Sequence, residues 1–215
     1  KKIFAISVVA ALAVASCKKH ENTVSELRNY STPTIILQDG QYYSMPVGGI
    51  LPAIKATAYD SFYHEDATVV FDQSKLDVTV PGIYSVYATA KNKYGMGNTD
   101  TLFVAVTDIT NVDISGRYVQ VATSDTMTLT RLANGFYHTS DAVGVGLSDT
   151  ANVLPAMFVQ TSPTSLVMPT QYSKKFGSFS ATNGVVNLSS TDTTYSYNLQ
   201  NASFPATTRT FRRLN

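Results

Sequence analysis

From Pro33 onward the chain alternates between apolar and polar residues over short runs, and Gly, Pro, Asn or Asp closes most of them. A period of two marks half-buried strands. The pattern predicts strands over 34–37, 41–45, 54–59, 68–71 and 76–80, followed by a longer pair. In 83–91, Tyr84, Val86, Ala88 and Ala90 alternate with Ser85, Tyr87, Thr89 and Lys91; in 99–107, Leu102, Val104 and Val106 share a face. Residues 92–98 contain Gly95 and Gly97 and suit a hairpin with a longer loop. At 109–115 Thr110, Asn111 and Asp113 break the alternation, which reads as a linker. Beyond it come runs at 117–122, 126–132, 136–139, 156–160, 165–168, 184–188, 193–199 and 207–213. Asn134-Gly135 is the strongest hairpin signal among them. Consecutive short strands without a helical period predict an antiparallel meander, either a small barrel or a sandwich, with 207–213 closing the sheet. The expected fold class is all-β, with one module at 33–108 and a second at 116–215.

The first 32 residues follow other rules. Lys1 and Lys2 precede an apolar stretch, Ile3 to Ala13, interrupted only by Ser7; Val14-Ala15-Ser16 then leads into Cys17, the one cysteine of the chain. A spanning helix needs about 20 apolar residues, so this run is too short to cross a bilayer and reads as a secretory signal. Val14-Ala15-Ser16-Cys17 resembles the lipobox of bacterial lipoproteins. That resemblance implies a signal peptide at 1–16, lipid on the Cys17 sulfur, and a tether at 17–32. A flexible tether of about 15 residues reaches roughly 20 Å on average. Lys18-Lys19-His20-Glu21 carries a single acid after the cysteine, which leaves the membrane face, periplasmic or cell-surface, open.

A lone cysteine excludes an internal disulfide framework, so stability must come from packed cores. The full chain has 16 Lys and Arg against 15 Asp and Glu; loss of Lys1 and Lys2 with the leader leaves 14 against 15, a net charge of −1. With basic residues few and dispersed, nucleic acid is not an expected partner.

Pro81-Gly82-Ile83-Tyr84 is the most specific signal of the first module. Pro and Gly suit a type II turn, and a Tyr two residues after that Gly matches the tyrosine corner of immunoglobulin-like sandwiches. Together with Gly40-Gln41-Tyr42, Val47-Gly48, Ala56-Thr57-Ala58-Tyr59-Asp60, Ala88-Thr89-Ala90-Lys91-Asn92 and Gly95, it resembles the bacterial Ig-like domains of exported Bacteroidota proteins. The resemblance covers about a third of the chain and implies an Ig-like β-sandwich in a spacer or binding role. The second module, with Gly116-Arg117-Tyr118 and Gly135-Phe136-Tyr137-His138-Thr139-Ser140-Asp141, is similar to the C-terminal domains paired with Ig-like domains in lipoproteins encoded beside polysaccharide-utilisation systems.

Reactive groups are few. After the tether the only Glu is Glu65 and the only histidines are His64 and His138. Neither Gly144-Val145-Gly146-Leu147-Ser148 nor Gly177-Ser178 has the spacing of a nucleophile elbow, and Gly144-x-Gly146 is followed by Asp149 where a dinucleotide motif needs Gly. His64-Glu65-Asp66 would need a loop to converge on a metal, because neighbours on a strand point to opposite faces. The expectation is no enzyme, no metal and no cofactor. Binding suits the composition better: 13 Tyr, 10 Phe, no Trp, and 14% charged residues. Tyr offers a flat apolar face with a hydroxyl, fit for sugar rings and for protein surfaces. The candidate ligand-binding aromatics are Tyr63, Tyr94, Phe136, Tyr137 and Tyr172. The resemblance to exported Bacteroidota proteins adds O-glycan acceptors at Thr101, Thr126, Thr150 and Thr193, each after an Asp. The reading is a non-catalytic outer-membrane lipoprotein that captures glycan or contacts an uptake-system protein, with a structural or adhesive spacer as the alternative.

Overall fold

The computed structural model describes residues 31–189 and 192–214; the leader, Cys17 and the tether as far as residue 30 lie outside the described residues. Among the described residues the chain forms fifteen strands and one 3₁₀ turn, at Gly146–Asp149.

The first module has seven strands: β1 (Thr34–Leu37), β2 (Tyr42–Met45), β3 (Ala56–Asp60), β4 (Glu65–Ala67), β5 (Val69–Asp72), β6 (Gly82–Lys91) and β7 (Gly97–Val106). They form a three-stranded sheet, β1-β3-β4, and a four-stranded sheet, β2-β7-β6-β5. Strand β2 runs parallel to β7, and the other pairs are antiparallel. Both sheets contribute to one core. Val86, Ala88, Leu102, Val104 and Val106 are buried from the four-stranded sheet, and Ile35 and Leu37 pack on them from β1.

The Tyr84 hydroxyl donates to the Val80 carbonyl at 2.8 Å, four residues upstream, the bond that the tyrosine-corner reading implies. It holds the 73–81 loop against the start of β6. Tyr84→Phe is expected to lower stability by about 1 kcal/mol, read from urea unfolding, with no change of fold.

One expected strand is absent. At 76–80 the apolar residues Leu76, Val78 and Val80 do alternate, but Asp77 accepts from the Thr79 amide at 2.9 Å and its hydroxyl at 2.7 Å. That local bonding closes a turn instead of offering the backbone to a neighbouring strand. Conversely, β4 had no apolar alternation to announce it and forms through its pairing with β3, Asp60 opposite Glu65.

The second module is an eight-stranded barrel: β8 (Gly116–Gln120), β9 (Thr126–Ala133), β10 (Phe136–Thr139), β11 (Ala156–Ser162), β12 (Ser165–Ser173), β13 (Gly177–Leu188), β14 (Thr193–Gln200) and β15 (Thr208–Arg213). Each strand pairs antiparallel with its sequence neighbour, and β15 closes the ring on β8, with Phe211 opposite Gln120. The barrel leaves no unpaired edge for another chain to add to.

Its interior is packed with aromatic rings. Tyr118, Tyr137, Phe158, Tyr195, Tyr197 and Phe211 are all fully buried. Tyr195 lies 4.9 Å from Tyr118 and 4.8 Å from Phe211, centroid to centroid. Burying a hydroxyl is costly unless it is bonded, and each tyrosine finds a partner. Tyr118 donates to the Ile114 carbonyl at 2.6 Å, Tyr137 to Val112 at 3.1 Å and Tyr197 to Ala142 at 2.9 Å, while Tyr195 reaches the Met127 sulfur at 2.9 Å. Burial pushes the hydroxyls of Tyr118, Tyr195 and Tyr197 well above the ordinary tyrosine pKa, so they remain neutral donors.

Two of these bonds pin residues 109–115, the run read as a linker. Ile114 is fully buried, and its amide donates to the Tyr137 hydroxyl at 3.3 Å. The outer face of β2 and β7 meets the barrel beside this strap. Tyr42 stacks on Phe103 at 6.0 Å and edges Phe136 at 5.8 Å, and Ala105, Phe136 and Val159 are fully buried in the seam. Gly135 fits tightly there: its φ is +64°, and a Cβ would sit 2.9 Å from the Thr107 methyl.

Candidate functional site

Two of the five candidate aromatics come together. Tyr63 lies in the turn between β3 and β4, Tyr94 in the loop between β6 and β7, and their rings are 4.7 Å apart. Phe62 meets Tyr63 edge-on at 4.9 Å. The Lys93 ammonium lies 5.3 Å from both tyrosine centroids and 3.1 Å from the Glu65 carboxylate. Tyr94 is 62% exposed and Phe62 50%, so the cluster is open to solvent.

A buried acid and a buried amide hold the two loops together. Asp60, at the end of β3, accepts from the Phe62 and Tyr63 amides at 3.1 and 3.2 Å, which shapes the turn. It also accepts from Asn92 Nδ2 at 2.9 Å and the Ser31 hydroxyl at 2.7 Å. Asn92 uses its carbonyl oxygen to accept from the Tyr94 and Met96 amides at 3.0 and 3.1 Å, and its Nδ2 also donates to the Ser31 carbonyl. One side chain shapes each loop, and the Asp60–Asn92 bond ties them.

Burial pushes the Asp60 carboxyl up, and the hydrogen bonds from Asn92, Ser31, Tyr63 and Phe62 outweigh it, leaving the pKa below the ordinary 3.8. A carboxyl whose pKa is lower in the folded chain than in the unfolded one adds stability above the unfolded value. That contribution disappears as pH falls through the folded value. The stability difference between the native chain and Asp60→Asn, followed by urea unfolding, should therefore be constant above about pH 5 and shrink in acid. A difference independent of pH would mean that the Asp60 charge is not what the cluster uses.

The remaining candidates separate. Phe136 and Tyr137 are both fully buried and leave the list of surface ligand contacts. Phe136 points out of the barrel into the seam with the first module, and Tyr137 points into the barrel core. Tyr172, 73% exposed on β12, stands apart from the cluster. Of the glycan acceptors, Thr150 is exposed, while Thr101, Thr126 and Thr193 are half-buried within strands. Cys17 lies outside the described residues.

A groove beside the first module's core contains none of the candidate ligand-binding residues. It is an open cleft of about 640 Å³ between β3, β4 and β5. It is lined by the polar residues Gln38, Lys55, Thr57, Asp66 and Thr68 and by the apolar residues Ala56, Ala58, Ala67, Val69 and Phe71. Three of the lining residues on β3 and β4 are alanines, Ala56, Ala58 and Ala67. The only hint in the sequence was this run of small residues at alternate positions.

His64, Glu65 and Asp66 do not converge. His64 Nδ1 lies 3.3 Å from the Tyr59 hydroxyl, and Glu65 turns to Lys93. Among the described residues no three His, Cys, Asp or Glu side chains gather around a point that suits a metal. The Asp141 carboxylate, in the loop after β10, is occupied by the amides of Val143, Val145, Gly146 and Leu154 at 2.7 to 3.2 Å. On β10, His138 is half-buried, and burial lowers its pKa.

Fold and site together define an all-β protein of two joined modules, with one groove lined by polar and apolar residues and one exposed aromatic cluster. No family model matches the chain, and no curated protein matches it. Among solved structures it is similar to the crystal structure of a lipoprotein from Bacteroides thetaiotaomicron. The two share 17% identity at a TM-score of 0.41, over 85% of this chain and 100% of that one.

Proposed function

We propose that the protein is an outer-membrane lipoprotein, anchored through lipid on Cys17, that binds a glycan segment without catalysis. The groove between β3, β4 and β5 is the observation that carries this reading. Its lining residues include amide, hydroxyl, ammonium and carboxylate side chains, which suit a hydroxyl-rich chain, and apolar ones, which suit the faces of sugar rings. The anchor rests on the lipobox resemblance of residues 14–17, and the Ig-like kinship of the first module rests on its motifs and the Tyr84 bond. Non-catalytic binding agrees with the engagement of Asp141, Glu65 and His64 in local contacts.

Affinity electrophoresis through gels containing soluble polysaccharides tests it. The native chain should be retarded by at least one polysaccharide, and Lys55→Ala with Asp66→Ala should abolish the retardation. Retardation that survives those changes but is lost on Tyr172→Ala would move the site to the barrel. No retardation in a broad panel would leave the spacer role.

A further inference from the structure

The aromatic cluster lies at the end of the first module where the chain enters it. Ser31, the first described residue, is bonded to the same Asp60 and Asn92 that shape the two cluster loops. The chain leaves by the opposite end. Lys91 and Gly97 pair beside the cluster, and β7 then runs ten residues to Val106, a span of roughly 30 Å, before the strap to the barrel. The residues that seat the barrel, Ile83, Phe103 and Ala105, belong to that distal end. Entry, cluster, sandwich and barrel therefore follow one another along a single direction.

From these placements we infer that Phe62, Tyr63, Lys93 and Tyr94 form a membrane-facing surface that rests on the lipid headgroups beside the anchor. The inference depends on the lipid anchor proposed at Cys17. Only 13 residues separate Cys17 from Ser31. A segment of that length spans at most about 45 Å in any conformation, so the end that receives it stays near the bilayer and can touch it. The chemistry fits the site. Tyrosine rings with an apolar body and a polar tip collect at headgroup depth, and Phe62 adds apolar surface. Lys93 is paired with Glu65, so the surface is nearly neutral and its attraction comes from the rings. The two acyl chains of a diacylglyceryl anchor hold the chain at the bilayer by themselves, so a shallow seat by these rings acts on how the first module is turned. It fixes orientation, holding the barrel away from the bilayer.

The competing surface is at the other end. Ile50, in the loop between β2 and β3, is 91% exposed and is the most exposed large apolar residue described. If apolar exposure alone decided the contact, that loop would insert and the module would lie inverted.

The absence of Trp from the sequence makes a direct test possible. The full chain, produced in a host that lipidates lipoproteins, carries Tyr94→Trp, Ile50→Trp or Tyr172→Trp and is reconstituted on vesicles of phosphatidylethanolamine and phosphatidylglycerol. Flotation reads anchoring. Replacement of the lipids by brominated ones then reads contact through quenching of the single tryptophan. The expected result is flotation of all three variants, with Y94W quenched several-fold more than I50W or Y172W. Equal quenching, or stronger quenching of I50W, in protein that floats would overturn the membrane-facing surface while leaving the anchor intact. Failure to float would overturn the anchor and this inference together.

Discussion

Phe136→Ala is expected to cost about 3–5 kcal/mol, the range for truncating a fully buried phenylalanine. Phe136 opens β10 and points away from the barrel, where Tyr42 meets its ring at 5.8 Å and Ala105 and Val159 complete the contact. Truncation leaves a cavity at the seam, and the Thr107 hydroxyl bond to the Gln160 carbonyl loses its packing support. The loss should appear in equilibrium urea unfolding, and limited proteolysis should begin to cut within 107–115. Truncating exposed Tyr172 in the same way should change stability by less than about 0.5 kcal/mol. A Phe136→Ala loss below about 1 kcal/mol would show that the seam contributes little and that the modules are stable separately.

Asp141→Ala should be comparably severe. The native carboxylate accepts four backbone N–H bonds, from Val143, Val145, Gly146 and Leu154, and so shapes the loop that covers one end of the barrel. Gly144 and Gly146 take positive φ values of +77° and +63°, which the tight course around the carboxylate requires. Arg209, buried beneath the loop, donates from Nη1 to the Val143 carbonyl at 2.9 Å. Each buried amide left without a partner costs about 1–3 kcal/mol. Some of the four would regain water, so a total near 4 kcal/mol is expected by thermal or urea unfolding. Asp149→Ala in the same loop, which loses a bond from Asn152, should cost no more than about 1 kcal/mol. Near-equal effects would contradict the organising role of Asp141.

The strands were legible because their alternation is strict and their turns use residues with one structural meaning. Asn134-Gly135 turned where expected, and Thr34–Leu37 and Phe136–Thr139 formed over the residues the pattern marked. Barrel closure was visible only as an order of strands, since the choice between barrel and sandwich depends on whether β15 finds β8. Residues 76–80 misled because Asp77 bonds locally, a competition that apolar periodicity does not register.

The site was less legible, for a physical reason. An aromatic residue after a tight turn suggests exposure, yet β10 is buried on both faces, by the barrel core within and the first module without. Alternation therefore carried no information about which of Phe136 and Tyr137 met solvent. The abundance of tyrosine, read as ligand-binding surface, turns out to serve the barrel interior as well, where bonded hydroxyls stand in for a purely apolar core. Tyr63 and Tyr94 are 31 positions apart, and nothing in either loop announces the other; Asp60 and Asn92 join them only once the sandwich forms. The groove is lined by residues of adjacent strands, a property of pairing and not of any one segment.

The lipid anchor on Cys17 fixes where the protein acts, and mass spectrometry of the N-terminal peptide from a membrane fraction tests it most directly. The expected peptide begins at Cys17 and carries a diacylglycerol thioether on its sulfur. A mature chain that begins at another residue, or at Cys17 with a free thiol, would contradict it.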